Sequence, residues 1–259
     1  MVGVVYFTVI VLANAIGAIS GMGGGILIKP LFDLIGIHSV SEVSFYSTTA
    51  VFTMALVSTM RHLASGKKFA WPIVIWVSLG AVLGGILGNV VFDSLLSFFE
   101  KAEQVTLVQI LLTIVTLLFA FCYTRYEWPH FHFRTKGMYL ICGLILGFFA
   151  SLLGIGGGPI NVSLLMLLFS LPIKESTMYS IGIIFFSQLA KLTTIAVTIG
   201  FGQYDLGILF YVIPAAAIGG LLGARLSSVL PAEKVTFVFQ TVILLVLGIN
   251  LYNGLNILI

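Results

Sequence analysis

Gly21-Met22-Gly23-Gly24-Gly25 and Gly154-Ile155-Gly156-Gly157-Gly158 stand about half a chain apart, each interrupting a long apolar run. Consecutive glycines weaken a helix. Inside a bilayer, non-helical backbone is tolerated only where protein covers it or where it lines an aqueous cavity. A matched pair of glycine-interrupted segments in the two halves of a membrane chain therefore points to a substrate site between them.

The composition supplies the membrane. Of 259 residues, 59% are hydrophobic and 8% charged, and the mean hydropathy is +1.17. A soluble domain carries roughly a quarter charged residues. The chain therefore reads as an all-α polytopic protein embedded in the lipid bilayer. Apolar runs over residues 2–20, 43–63, 71–92, 105–123, 137–153, 177–200, 206–224 and 235–252 approach or exceed the ~20 residues that span hydrocarbon. Runs over 25–37 and 159–171 are too short for an untilted span. No loop has the length of a soluble domain, so residues 1–259 form a single transmembrane domain. The net charge of +3 is dispersed in short loops and offers no nucleic-acid surface. Cys122 and Cys142 lie in apolar runs without CxxC or metal-ligand spacing, which implies neither a disulfide nor a metal site. No cofactor motif is present. The first run lacks the basic flank of a cleaved signal and is expected to stay in the mature protein.

The halves repeat beyond their glycines. Glu42 aligns with Glu175, Tyr46 with Tyr179 and Ser47 with Ser180; Gly84-Gly85-Ile86-Leu87-Gly88 matches Gly219-Gly220-Leu221-Leu222-Gly223, and Val105-Thr106 matches Val235-Thr236. The division is repeat 1 over 1–125, a linker over 126–136 and repeat 2 over 137–259. Basic residues in short loops mark the cytoplasmic side. Arg61, Lys67 and Lys68, and then Arg125, Arg134 and Lys136, are basic groups, whereas Asp93 to Glu103 is an acidic stretch. In the second half, Phe201 to Asp205 lacks Lys and Arg, and Arg225 and Lys234 flank the next loop. Equivalent loops thus face opposite sides. Two inverted repeats are expected, each occupying about half of the chain and comprising a glycine-tipped hairpin plus three spans. Four plain crossings per half, with parallel repeats, is the competing reading.

Each short helix begins at its glycines. Helix N-termini present unpaired N–H groups and partial positive charge, and glycine lets a ligand approach closely. Gly21, Gly23, Gly24 and Gly25, with Gly154, Gly156, Gly157 and Gly158, are therefore candidate substrate-binding residues for a small anion. The glycines around Gly84 and Gly219 keep small-xxx-small spacing and read as helix packing. Lys29, about 9 Å along its helix from Gly23, and Lys191, with Gln188 one turn earlier, are polar groups at membrane depth that suit an anionic substrate. A pair with Asp33 and snorkelling are the plain readings of these lysines. Ser47, Thr48, Thr49 and Ser180 supply hydroxyls and Asn161 an amide. Neither nucleotide-binding glycine pattern is completed, and no hydrolase constellation is present, so no enzyme is indicated.

The chain resembles the TauE/SafE family of sulfite and organosulfonate exporters, also called toluene-sulfonate uptake permeases. The resemblance rests on Gly21-Met22-Gly23-Gly24-Gly25-Ile26-Leu27-Ile28-Lys29-Pro30-Leu31, which looks like the family's GxGGG-x4-P-L signature. Gly154-Ile155-Gly156-Gly157-Gly158 repeats it, and Gly219-Gly220-Leu221-Leu222-Gly223-Ala224-Arg225-Leu226 is similar to a small-residue segment of the family. The second copy departs from the first, with Pro159 directly after the glycines and Ser163 at the position of Pro30. The resemblance implies a secondary carrier of sulfur-containing anions in a prokaryotic inner membrane, and the inverted repeats suggest alternating access, one repeat rocking against the other. A carrier of small carboxylates and a non-transporting membrane scaffold remain as alternatives. No motif specifies direction, coupling ion or oligomeric state.

Overall fold

Each of the apolar runs forms a helix in the computed structural model, which describes residues 2–35, 37–66, 70–99, 102–126, 128–153, 158–198 and 200–258. The first half comprises α1 (Val2–Ser20), α2 (Gly25–Ile35), α3 (Val40–Ala64), α4 (Trp71–Phe98) and α5 (Ala102–Arg125). The second comprises α6 (Lys136–Leu152), α7 (Pro159–Phe169), α8 (Ile173–Thr198), α9 (Leu209–Val229) and α10 (Ala232–Leu258). No strand occurs among the described residues. Seven of these helices are long and apolar enough to cross a membrane; α2, α6 and α7 are shorter. The protein is thus a multi-pass helical membrane protein. At 11 residues, α2 reaches roughly 16 Å, about half the hydrocarbon thickness.

Local chemistry sets the helix ends. Ser39 and Glu42 form a capping box at the start of α3: the Ser39 side chain accepts from the Glu42 N–H, and the Glu42 carboxylate accepts from the Ser39 N–H at 2.9 Å. Proline opens α4 and α7, where its missing N–H costs nothing. Lys174, at the start of α8, donates to the Leu230 carbonyl at 2.8 Å and so ties α8 to the end of α9.

After Ser20 the chain reverses. Tyr6 stacks on Phe32 with ring centroids 4.2 Å apart, Gly24 lies against Asn14, and Gly23 against Gly17. Therefore α2 runs back along α1 as a hairpin. Tyr139 meets Phe169 edge-on at 4.9 Å, which brings the end of α7 to the beginning of α6.

The halves interlock. The first helix of each half packs along the fourth helix of the other, α1 on α9 and α6 on α4. Both pairs run parallel: Gly219 and Gly223 abut the carbonyls of Val11 and Ala15, and Gly84 and Gly88 abut those of Leu144 and Phe148. A methyl group at any of these glycines would overlap a facing carbonyl, so small residues set the helix separation. Corresponding helices instead run antiparallel. Phe52 stacks on Phe185 while Lys191 reaches Ser44 across α3 and α8. Gln240 reaches Thr124 while Gly254 faces Ile110 across α5 and α10. The segment between α5 and α6 lies along the end of α7, with the Phe131 N–H donating to the Leu167 carbonyl at 2.7 Å.

Candidate functional site

The first glycine tract forms the tip of the α1–α2 hairpin. Gly21 and Gly23 have φ of +73° and +79°, a region that glycine enters freely and other residues do not. Gly23 faces Val51 of α3 and Ile184 of α8, each at mid-helix. The interval from Val51 to Ile184 is the same as that from Gly21 to Gly154, so the two residues are repeat equivalents. The tip therefore sits where the corresponding long helices of the two halves cross. Ala18, Val51, Met54, Ala55, Ile181 and Ile184 form a buried apolar cluster around it.

Two hydrogen bonds hold the tip. Ser180 donates to the Gly21 carbonyl at 2.6 Å, and the Gly23 N–H donates to the Gly17 carbonyl at 3.3 Å. The Gly24 carbonyl accepts from Leu27 and Ile28 as α2 begins. No described carbonyl accepts from the N–H groups of Gly24, Gly25 or Ile26. These three donors and the positive end of α2 are what the tip offers an anion.

The candidate residues fall into two groups around this point. Ser47 and Thr48 are buried on α3 one turn before Val51, on the helix face that meets the tip. Thr49 is buried too, but bonds back to the Phe45 carbonyl at 2.9 Å. The hydroxyl proton of Ser180 is taken by Gly21, so Ser180 fixes the tip. Lys191 lies further out, two helical turns or roughly 10 Å beyond Ile184. It donates to Ser44 at 3.2 Å and is close enough to Lys29 to feel its charge. Gln188 is buried one turn before it. Among the described residues the one basic side chain within 4 Å of a carboxylate is His38, beside Glu42 at 3.8 Å, so no described carboxylate neutralises either lysine. The side chain of Asp33 lies outside the described residues.

Of the second tract, Gly154, Gly156 and Gly157 also lie outside the described residues. Gly158 caps α7, and its carbonyl accepts from the Asn161 N–H at 3.0 Å. Asn161 is 3% exposed and its Oδ1 has no hydrogen-bond partner among the described residues. An apolar groove of about 230 Å³ between α4 and α8, lined by Ile75, Leu79, Val82 and Phe186 among others, has the wrong chemistry for an anion.

Sequence reasoning passed over Asn14. Its side chain is fully buried at the tip, and neither Oδ1 nor Nδ2 has a described partner. The available signal was an asparagine in the middle of an apolar span. No group of three or more His, Cys, Asp or Glu able to hold a metal ion occurs among the described residues.

Known proteins match the same chain. The family described as "Sulfite exporter TauE/SafE" matches residues 6–251. YunE of Bacillus subtilis, a probable membrane transporter protein, is 24% identical over 94% of this chain and 95% of its own length. MJ0441 of Methanocaldococcus jannaschii, described in the same words, is 26% identical over 67% of this chain, and the match spans 64% of that protein. MamO of Paramagnetospirillum magneticum, another probable membrane transporter protein, is 24% identical over 88% of this chain, a match that takes in 41% of MamO. No solved structure matches the chain. The family match runs through nearly the whole chain, and the chain belongs to the TauE/SafE sulfite exporter family.

Proposed function

We propose that the protein is a secondary transporter of small sulfur oxyanions, with sulfite and simple sulfonates as the substrate class, and that the anion binds at the tip of the α1–α2 hairpin. The observation that carries this reading is the set of N–H groups at Gly24, Gly25 and Ile26 without a described acceptor, held at the crossing of α3 and α8. Lys29 and Lys191 lie on the route from one membrane face to that point and supply positive charge without a described acid to cancel it. The second tract, Gly154, Gly156, Gly157 and Gly158, is the sequence counterpart of the first, and this reading gives it the same anion-binding role in the second half of the chain. The sulfur chemistry comes from the family's description.

In this reading the repeats are inverted. The antiparallel pairing of α3 with α8 and of α5 with α10 supports that arrangement. Charge supports it too. With each hairpin returning to its own face, Arg61, Arg125, Arg134, Lys136, Lys174, Arg225 and Lys234 all fall on one side. That side is cytoplasmic by the positive-inside rule. The opposite half of the membrane holds Lys29 and Lys191, so the lysines serve the outer access route. Alternating access rocks one half against the other about the tips. The membrane is the inner membrane of a prokaryote.

Flux into proteoliposomes tests the proposal. Sulfite should enter, be competed by sulfonates and not by small carboxylates, and enter far more slowly with Lys191→Met. In detergent, a ligand at a hundredfold excess over its Kd should stabilise the protein by about 2.7 kcal/mol. Stabilisation and flux with carboxylates alone would transfer the site to that substrate class. Absence of flux for every anion, together with tight association with another membrane protein, would replace the transporter by a scaffold.

A further inference from the structure

Among the described residues, Asn14 is the least satisfied polar side chain of the protein interior. It lies on α1, two turns before the glycine tip, with no exposed surface. Its Oδ1 and Nδ2 are both buried without a hydrogen-bond partner among the described residues. A carboxamide has one acceptor oxygen and two N–H donors, and buried side chains of this kind are normally bonded. In a membrane helix an asparagine usually bonds across to a neighbouring helix. Asn14 faces α9, but its neighbour there is Gly219, which has no side chain to answer it.

The carboxamide is aimed at the start of α2. Gly24 is the residue whose carbonyl opens that helix, and a side chain there would overlap Asn14 Oδ1 and stand 3.1 Å from Asn14 Cα. The glycine thus makes room for the amide beside the residue at which α2 begins. At the corresponding point of the second half stands Gly147, which packs against the Ala81 carbonyl. The amide therefore belongs to one tip only.

We infer that Asn14 is a substrate-binding residue, its Nδ2 donating to an oxygen of the oxyanion held at the N-terminus of α2. The inference rests on the tip site proposed above and adds a side-chain amide donor to the first tip. It makes the site asymmetric: Asn14 serves the first tip from the outgoing arm of its hairpin, while Asn161 stands on the returning arm of the second. Its Oδ1 faces the same space and favours an anion that also carries a hydrogen-bond donor, such as a hydrogen oxyanion.

The test uses the purified full chain in detergent, with Kd taken from the thermal shift produced by sulfite and by methanesulfonate. Asn14→Leu has a similar shape and removes the unpartnered amide. The ligand-free variant should melt at or above the wild-type temperature, and its Kd for sulfite should rise about tenfold or more, as for loss of one charge-assisted hydrogen bond. Asn14→Asp keeps the shape and places a carboxylate at a helix N-terminus, where it is tolerated. It should fold and lose the sulfite response, which decides the matter if the leucine variant fails to fold. Wild-type Kd values in either folded variant would overturn the role of Asn14 and leave the tip site standing. A wild-type protein that responds to neither anion would overturn both.

Discussion

Replacing Gly21 by alanine tests whether the hairpin tip is seated as described. At φ +73° an alanine carries the left-handed penalty, about 1–2 kcal/mol. Its Cβ would also stand 2.5 Å from Thr177 Cα and 2.7 Å from Thr177 Cβ. Both atoms are fixed to the α8 backbone, so the tip or the helix must shift, at about 1–3 kcal/mol in a packed interior. Gly66 separates the two contributions. Its φ is +72°, but a Cβ there meets nothing within 4 Å, so Gly66→Ala carries the conformational penalty alone. Gly200, with φ +76° and open surroundings, is a second control. The excess cost of Gly21→Ala is then about 1–3 kcal/mol, or roughly 2–12 °C in Tm at this chain length. Tryptophan fluorescence during thermal unfolding in detergent measures it. If Gly21→Ala melts with Gly66→Ala and Gly200→Ala, the tip does not rest on Thr177 and the site geometry built on it fails.

Four further outcomes are expected. Ser180→Ala leaves the buried Gly21 carbonyl without its 2.6 Å donor and should lower stability by about 1–3 kcal/mol, with sulfite flux reduced; an unchanged melt would detach Ser180 from the tip. Lys191→Met should weaken sulfite uptake about tenfold to a hundredfold without lowering the ligand-free Tm, and Lys191→Arg should retain most uptake. Gly147→Leu forces a side chain into the Ala81 carbonyl across α4 and α6 and should abolish recovery of monodisperse protein, while Gly137→Leu, in open space, should be neutral by size-exclusion chromatography. In a chain freed of Cys122 and Cys142, a membrane-impermeant thiol reagent should label Asp205→Cys from outside the cell and Ser228→Cys only after permeabilisation; the reverse pattern would invert the proposed orientation.

Much of this protein is legible in its sequence because the bilayer leaves few options. Lipid offers no hydrogen bonds, so long apolar runs become helices, and α1, α4 and α8 begin or end within a few residues of where hydropathy places them. The repeat announces itself through Glu42 and Glu175, Ser47 and Ser180. The glycines of α4 and α9 read as packing residues from their spacing, and a Cβ at Gly84, Gly88, Gly219 or Gly223 would overlap a facing carbonyl. Such features depend on composition and on neighbours a turn away, which a sequence displays directly.

What the tertiary structure decided are the pairings that no spacing encodes. Ser180 reads as a hydroxyl for an anion, yet it donates to Gly21, because α8 crosses the hairpin tip at that turn. Lys191 reads as a cation at membrane depth, but only the fold shows that it meets Ser44 roughly two turns from the tip and shares its surroundings with Lys29 from the other half. Asn14 is one polar residue in an apolar helix until α2 folds back and sets Gly24 against its amide. Each outcome depends on which helices of the two halves touch and at what height. Backbone contact between α1 and α9 and between α4 and α6 fixes those heights, and that contact exists only once the chain has folded.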